Sequence, residues 1–386
     1  MAANIALPRL LRVGGGAVHE TGALVGDLGG LRPLIVTDAY MVASGVVDVL
    51  SAALRKSGLS VAVFSGTVPD PTTASLSAGV SAVKEHAADI IIGLGGGSAI
   101  DTAKALGILS RQGGAMRDYK APRNNTGPAL PVVAIPTTAG SGSEATQFTI
   151  ISDSETSEKM LCAGLAFLPA AAVIDYTLTL SMPPRLTADT GIDALTHAIE
   201  AFVSKKANPF SDGFALSAIR TIGTNLRKVY EDGSNQAARA AMMLAATQAG
   251  IAFSNSSVAL VHGMSRPIGA HFHVAHGLAN AMLFPAVTEF SVTAAEPRYA
   301  ECARALGAAT ASATDRQASA ALVAELHAIN ADLDVPTPEV FGIDRHEWES
   351  KLPLMAEQAL SSGSPANNPV IPDARQIQDI YAGIYA

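Results

Sequence analysis

Four of the nine histidines in this sequence lie in one segment that is almost free of charge. Residues 240–288 carry a single full charge, on Arg266. A long uncharged segment predicts buried structure, and imidazole nitrogens are common ligands of transition metals. The segment therefore predicts a buried wall whose histidines supply metal ligands: His262, His271, His273 and His276.

A second segment, upstream, adds a carboxylate. Asp193 and His197 are four residues apart, so a helix places both side chains on one face. Carboxylate and imidazole ligands together favour Fe(II), Zn(II) or Mn(II) over Ca(II) and Mg(II), which prefer oxygen ligands. A single histidine on an apolar helix is more often a hydrogen-bonded core residue than a ligand. The combination of the two segments nevertheless predicts a metal site.

A glycine-rich turn is the second chemical signal. Gly95-Gly-Gly-Ser98 follows an apolar, strand-like run at residues 89–93 and precedes a helix-like segment. Glycines in such a turn let backbone N–H groups and a helix N-terminus hold a pyrophosphate. The turn lacks the lysine of a P-loop and the final glycine of the Rossmann fingerprint. It predicts a phosphate-binding loop, with tight packing of strand and helix as the alternative.

Asp38 ends an apolar run at residues 34–37. A carboxylate at the end of a strand can accept hydrogen bonds from both ribose hydroxyls of NAD, and it repels the 2′-phosphate of NADP. The alternative interpretation of Asp38 is a turn-capping residue before a helix.

Composition limits the class of protein. The 386 residues, 48% of them hydrophobic, can form a large core and predict two domains. The net charge of −8 and the absence of Lys/Arg clusters argue against a nucleic-acid partner. Polar residues near Asn255 interrupt the uncharged segment and predict a pair of buried helices rather than a membrane span. Two cysteines and an N-terminus without a signal peptide indicate a cytoplasmic protein.

The character of the sequence changes near residue 180. Before this point, β-branched runs alternate with helix-like stretches, which is typical of a parallel sheet; the runs are residues 34–37, 61–64, 89–93 and 131–135. After it, apolar residues recur at helical spacing, in residues 185–204, 210–230, 237–254 and 297–306. We predict an α/β dinucleotide-binding domain over residues 1–180 and an all-α metal-binding, catalytic domain over residues 181–386. Residues 152–158 predict the turn of an antiparallel hairpin, and residues 307–319 a surface connection.

Four motifs stand in order along the sequence. They are GGGSAIDTAK from Gly95, PTTAGSGSE from Pro136, GIDALTHAIE from Gly191, and HGMSRPIGA from His262, which continues to HGLANAMLFP from His276. Together these motifs closely resemble those of the iron-containing (group III) alcohol dehydrogenases. The resemblance implies a dehydroquinate-synthase-like fold with the active site in the cleft between the two domains, and a cytoplasmic homodimer or larger homo-oligomer.

The resemblance also implies roles for individual residues. The metal ligands are Asp193, His197, His262 and His276, the residues that the spacing selects. The NAD-binding positions are Asp38, Gly96, Gly97, Ser98, Thr137, Thr138 and Lys159. Asp70 touches the adenine side of the cofactor at a position that is often Asn in relatives.

Arg266 departs from the family pattern, because many relatives have a histidine at this position in the substrate site. An unpaired guanidinium in an uncharged segment is costly, so it needs either an internal carboxylate partner or an anionic substrate. Pro267 is expected to disfavour helical geometry at Arg266. His271 and His273 lie between two ligands in sequence and are candidates for a proton relay, with a surface or packing role as the alternative for each.

Together these features predict an NAD-dependent, metal-dependent alcohol dehydrogenase or aldehyde reductase that acts on a small alcohol or aldehyde. The substrate carries an anionic group if Arg266 enters the site. The metal is Fe²⁺, with Zn²⁺ or Mn²⁺ as alternatives. Four other functions compete. Three are on the same fold: a glycerol-dehydrogenase-like enzyme, a maleylacetate-reductase-like enzyme without a metal, and a dehydroquinate-type synthase. The fourth, from another class, is a metal-dependent hydrolase.

Overall fold

The computed structural model describes residues 3–156 and 158–386. The chain forms two compact units, Asn4–Ser181 and Met182–Ala386. The α/β plus all-α fold class is confirmed: the strands lie in the first unit, and the second contains only helices among its described elements. Among the described residues, no helix has both the length and the apolar content of a membrane span.

The first unit contains a six-stranded parallel sheet in the order β1-β8-β5-β4-β2-β3 and a separate antiparallel hairpin of β6 and β7. The strands are β1 Leu10–Val13, β2 Pro33–Val36, β3 Ala62–Phe64, β4 Ile90–Gly95, β5 Val132–Pro136, β6 Phe148–Ser152, β7 Lys159–Ala163 and β8 Ala171–Ile174. The helices of this unit are α1 Thr21–Asp27, α2 Ala39–Ala43, α3 Val46–Lys56, α4 Thr73–Glu85 and α5 Gly97–Gln112.

The sheet is covered on both faces. Successive residues of β2 and β4 enter different core clusters: Leu34 and Ile91 belong to one, Ile35 and Ile92 to the other. Strands buried on two sides read as continuous apolar runs, which is why the sequence predicts β2, β4 and β5. The predicted hairpin turn also lies between β6 and β7; Ser157, within it, is outside the described residues.

The second unit is built around one buried helix, α6. Its helices are α6 Pro184–Val203, α7 Pro209–Glu231, α8 Gln236–Ser254, α9 Leu260–Phe272, α10 His276–Ser291, α11 Glu296–Leu306, α12 Asp315–Asp332, α13 Pro338–Phe341, α14 Arg345–Ser361 and α15 Ala374–Gly383. α6 packs against α7, α8 and α10 and is buried on nearly all sides from Thr187 onward. The four helices predicted from spacing correspond to α6, α7, α8 and α11, and the predicted break near Asn255 separates α8 from α9.

The predicted surface connection at residues 307–319 is wrong in its second half. α12 already begins at Asp315, and Thr314 caps it through a reciprocal capping box with Gln317. The Ala, Thr and Ser composition of this stretch concealed a start signal that the Thr-x-x-Gln pattern carries.

Candidate active site

Three helices of the second unit supply the predicted metal ligands. Asp193 and His197 lie one turn apart on α6 and are both buried. His262 lies in the first turn of α9, and His276 is the first residue of α10. The structure thus brings together residues that are up to 83 positions apart in sequence, as the difference between 193 and 276 shows.

One ligand atom from each of these four residues lies within 4.8 Å of the other three. The Asp193 Oδ1 atom is 3.5 Å from His262 Nε2 and 3.8 Å from His276 Nε2. It is also 3.8 Å from His197 Nδ1. An oxygen and three imidazole nitrogens at these separations match the ligand set that favours a divalent transition metal.

The position of Asn280 shows that three of these ligand atoms face one common point. Its side-chain nitrogen lies 2.7 Å from Asp193 Oδ1, 3.2 Å from His262 Nε2 and 3.3 Å from His276 Nε2. An amide nitrogen has two hydrogens to donate, fewer than the acceptors that surround this one. A divalent cation can bind all of the acceptors at once. The donor set therefore fits a metal ion.

Ring packing fixes the orientation of the imidazoles. The His197 ring stacks on Phe253 and on His262, with centroid distances of 4.3 Å in each pair. The His262 and His276 rings are tilted relative to each other at 5.4 Å. Side chains held in this way present their nitrogens to a metal without a large loss of conformational freedom on binding.

The electrostatics of the cluster favour positive charge. Burial raises the pKa of Asp193, but the neighbouring His197, His276 and His262 outweigh burial and hold that pKa well below its usual value. Burial lowers the pKa of His262, but Glu200 and Asp193 outweigh it and raise that pKa to about 9. The carboxylates thus stabilise a cation at His262, whether that cation is a proton or a metal.

Glu200 is a site residue that the sequence argument missed. Its buried carboxylate lies 2.6 Å from His262 Nδ1, the ring nitrogen opposite the ligand atom. The spacing of Asp193, His197 and Glu200 carries a signal, because positions i, i+4 and i+7 share one face of a helix. Asn280, one turn after His276 on α10, was missed in the same way.

Arg266 lies one turn after His262 on α9, which continues as a helix through Pro267. The expectation that Pro267 disrupts helical geometry at Arg266 is therefore wrong. An internal ion pair is also not found: no carboxylate of the described residues lies within 4.0 Å of the guanidinium, and its buried Nε has no hydrogen-bond partner. Burial lowers the pKa of Arg266, and the charge of Glu200 opposes that shift. The side chain keeps some accessible surface.

The two candidate relay histidines occupy different positions at the end of α9. His271 Nε2 lies 2.8 Å from Gln358 Oε1 on α14. His273 is exposed and ends α9 in the left-handed conformation, with φ of 55°. These contacts fit the surface and packing alternative, and a relay role for either residue stays a prediction.

Six of the predicted cofactor residues follow the carboxyl ends of the neighbouring strands β2, β4 and β5: Asp38, Gly96, Gly97, Ser98, Thr137 and Thr138. β4 ends at Gly95, and α5 begins at Gly97. Gly95 has φ of +145°, and a Cβ there would meet Ala99 Cβ at 2.8 Å, so only glycine fits this turn. Thr137, directly after β5, donates its N–H to the Gly95 carbonyl at 3.0 Å. A Cβ on Gly96 would lie 3.6 Å from Thr138, so little room separates the two loops.

Asp38 has the role of the alternative interpretation, since its side chain caps a helix. Its Oδ1 accepts a hydrogen bond from Met41 N at 2.8 Å and caps α2. Its other oxygen points to the glycine turn: Oδ2 is 3.9 Å from the position of a Cβ on Gly95. One carboxylate can therefore cap the helix and face a ribose at the same time.

Asp70 and Lys159 form an ion pair of 3.1 Å in the same unit. The backbone N–H of Asp70 also donates to Ser98 Oγ at 3.3 Å. These contacts bring Asp70, Ser98 and Lys159 close to each other. Asp70 has φ of 48°, a left-handed conformation that Asn and Asp tolerate better than most residues.

A glycine turn on a parallel sheet and an aspartate–histidine cluster in a helical unit are the two features expected of an oxidoreductase that uses a nucleotide and a metal. The comparison with known families agrees. The family description "Iron-containing alcohol dehydrogenase" matches residues 8–176, and "Fe-containing alcohol dehydrogenase family, C-terminal" matches residues 187–385. The chain belongs to the iron-containing alcohol dehydrogenase family and is an oxidoreductase acting on CH–OH donors.

Individual relatives match over almost their whole length. The chain is 35% identical to the NAD-dependent methanol dehydrogenase of Bacillus methanolicus, covering 98% of each chain. It is 34% identical to the 1,3-propanediol dehydrogenase of Klebsiella pneumoniae, covering 97% of each. Among solved structures, a 1,3-propanediol oxidoreductase superposes with a TM-score of 0.96 at 33% identity over 100% of both chains. A sulfoacetaldehyde reductase from Bifidobacterium kashiwanohense gives 0.89 at 25% identity, over 100% of this chain and 99% of the other.

Proposed function

We propose that this protein is an NAD-dependent and metal-dependent alcohol dehydrogenase or aldehyde reductase that acts on a small alcohol or aldehyde. The observation that carries the proposal is the convergence of Asp193, His197, His262 and His276, each of which places one ligand atom within 4.8 Å of the other three. A glycine turn suited to a dinucleotide in the other unit supports it. The relative named an NAD-dependent methanol dehydrogenase gives further support for the choice of NAD.

The four ligand residues hold the metal, which we propose to be Fe²⁺, with Zn²⁺ or Mn²⁺ as alternatives. When bound, such a metal polarises the substrate oxygen and stabilises negative charge that develops there. The chain contributes the arrangement: ring stacking holds His197 and His262, and the Asn280 amide donates to the Asp193 carboxylate. Burial of Asp193 and His262 keeps water from competing for these groups.

The cofactor residues hold NAD, which accepts or donates the hydride. We assign the pyrophosphate to the backbone of Gly96, Gly97 and Ser98 at the start of α5, and the ribose to Asp38. Thr137, Thr138, Lys159 and Asp70 complete the site as predicted.

We further propose that Arg266 binds an anionic group on the substrate. The guanidinium lies one turn from a ligand, lacks a carboxylate within 4.0 Å among the described residues, and keeps accessible surface. A half-buried cation without a carboxylate partner among the described residues favours an anionic ligand. The sulfoacetaldehyde reductase among the structural relatives is named for an anionic substrate, which is consistent with this class.

The competing functions explain less of the structure. A maleylacetate-reductase-like enzyme without a metal does not require the buried carboxylate and imidazoles. A hydrolase does not require the glycine turn. A glycerol-dehydrogenase-like enzyme differs from the proposal in substrate alone.

We also propose a cytoplasmic homodimer or larger homo-oligomer. β1 forms an edge of the sheet, and all four of its residues are exposed, including Leu10, Leu11 and Val13. An exposed apolar edge strand is suited to pairing with a second copy. Both cysteines, Cys162 and Cys302, are buried free thiols, which suits a reducing compartment.

A paired assay tests the proposal. Fluorescence titration with NADH should show saturable binding, which a hydrolase would lack. Alcohols and aldehydes are then screened with NAD(H) before and after removal of the metal by a chelator. Activity that disappears on chelation and returns with Fe²⁺, Zn²⁺ or Mn²⁺ supports the proposal. Full activity in protein shown to be free of metal contradicts it.

A further inference from the structure

The Glu200 carboxylate joins two of the helices that carry metal ligands. Glu200 is 3% exposed and lies on α6, on the same face as Asp193 and His197. Within the described part of the chain, the hydrogen bonds of this carboxylate go to the start of α9: Oε2 accepts from Ala259 N at 2.8 Å and contacts His262 Nδ1 at 2.6 Å, and Oε1 accepts from Val261 N at 2.6 Å.

The contacts with the backbone N–H groups of Ala259 and Val261 cap α9. The residue before the helix, Ala259, has no side chain that could accept the free N–H groups of the first turn. The Glu200 carboxylate accepts two of them, and its negative charge is favourable at a helix N-terminus. The position of α9 relative to α6 is therefore fixed at the point where His262 enters the cluster.

The contact with His262 determines which nitrogen can bind a metal. An imidazole that donates its Nδ1 hydrogen to a carboxylate has its lone pair on Nε2. The His262 Nε2 atom faces Asp193 Oδ1 at 3.5 Å. Glu200 therefore holds the ring in the tautomer and orientation that direct Nε2 at the ligand cluster.

We propose that Glu200 is a positioning residue that sets the metal affinity of the site through His262, an inference that rests on the metal site of the proposed function. Glu200 is not itself a ligand, since both of its oxygens are occupied at the start of α9. It acts by presenting a ligand that is already oriented and by making that ligand a stronger donor.

A purely structural cap is the competing explanation, and Glu200→Gln separates the two. A glutamine has one neutral acceptor oxygen in place of two charged ones, so it cannot accept from Ala259 N, Val261 N and His262 together. It also lacks the negative charge that makes His262 a stronger donor to a metal. The probe is Zn²⁺, with affinity measured by competition against a chromophoric chelator. Thr314→Ala is the matched control, because it removes the side-chain cap of α12 in the same unit without touching the ligands. NADH binding and melting temperature are measured on all three proteins.

Glu200→Gln should bind Zn²⁺ about 10–100-fold more weakly than the unaltered protein. NADH affinity should stay within about twofold, since the glycine turn lies in the other unit. Thr314→Ala should melt earlier but keep its Zn²⁺ affinity. Equal Zn²⁺ affinity in Glu200→Gln and the unaltered protein, with only an earlier melt, overturns the positioning role. Failure of the unaltered protein to bind Zn²⁺ would instead count against the proposed function.

A second measurement covers the case in which Glu200→Gln does not fold. In ¹⁵N-labelled, Zn²⁺-loaded unaltered protein, the His262 ring should carry its hydrogen on Nδ1, with slow exchange because Glu200 accepts it. A hydrogen on Nε2, or rapid exchange at Nδ1, overturns the proposal.

Discussion

Replacing Asp38 by Asn should change the cofactor preference without unfolding the turn. The two oxygens of the Asp38 side chain have different surroundings: Oδ1 accepts a hydrogen bond from Met41 N at 2.8 Å, and Oδ2 faces the glycine turn near Gly95. Asparagine keeps the cap, because its side-chain oxygen is an N-cap acceptor as good as that of aspartate. It loses only the negative charge. Asp38→Gly removes the charge and the cap acceptor together.

The size of the effect follows from the charge that is removed. A carboxylate about 5 Å from the 2′-phosphate of NADP repels it by roughly 1–3 kcal/mol, for effective dielectric constants between that of water and about 20. Removing the charge should therefore raise the kcat/KM ratio of NADP to NAD by about 5- to 150-fold. The loss of the cap in Asp38→Gly should add only a few tenths of a kcal/mol of destabilisation, since glycine is itself a tolerated N-cap.

The assay is kcat/KM with each cofactor for the unaltered protein, Asp38→Asn and Asp38→Gly, together with their melting temperatures. We expect the unaltered protein to prefer NAD, and both variants to shift in the same direction. An unaltered protein that uses both cofactors equally refutes the reasoning. So does an Asp38→Asn variant whose cofactor ratio does not change, because it would show that the Asp38 carboxylate only caps α2.

Three further predictions concern residues outside the metal cluster. Asp70→Asn should fold normally, because asparagine tolerates a φ of 48°, and it should free Lys159 from its ion pair and tighten NADH binding by up to about fivefold in a fluorescence titration; weaker binding would contradict this. Arg266→Met should cost an anionic substrate about 2–4 kcal/mol in transition-state binding and spare a neutral alcohol of equal length, whereas equal losses in kcat/KM would assign Arg266 a structural role. Burial raises the pKa of Asp101 to about 6, above its value in the unfolded chain, although the charge of Lys104 opposes this shift. The folded protein therefore favours the protonated carboxyl group. The stability that this group contributes is present below about pH 4 and is lost as pH rises through 6. Relative to Asp101→Asn, the free energy of unfolding of the unaltered protein should therefore fall by up to about 3 kcal/mol between pH 4 and 7 in urea titrations, and a constant difference would show that burial does not shift this group.

Local spacing predicted the parts of the fold and site whose signals are local. Asp193 and His197 share a helical face, and the uncharged segment around His262 marks a buried wall, so both ligand segments were recognisable. β2, β4 and β5 were recognisable because both faces of the sheet are covered. β8 was missed, because half of its residues are alanine, a weak strand former whose burial depends on neighbouring strands.

The functions of Glu200, Asn280 and Arg266 depend on contacts that no spacing rule reveals. Glu200 contacts a helix that begins 60 residues later in the sequence. Its capping role can be recognised only from the structure, which shows that its carboxylate accepts the free N–H groups at the start of α9. Asn280 is one turn from a ligand, but its contact with Asp193 requires the packing of α10 on α6. Arg266 has no ion pair with any described residue because of where the acidic side chains of other helices lie, and the sequence does not specify those positions.

The metal content of the His276→Ala variant is the most direct measure of whether the four-residue cluster is the active metal site. The His276 side chain is 37% exposed, the most accessible of the four ligands, so its removal should disturb folding least. Metal analysis is carried out after identical loading and desalting, with NADH titration as the check of an intact first unit. We predict stoichiometric metal and NAD-dependent alcohol oxidation in the unaltered protein. In His276→Ala, we predict loss of both with NADH binding retained. Full metal content and full activity in His276→Ala would contradict the assignment of this cluster as the active metal site.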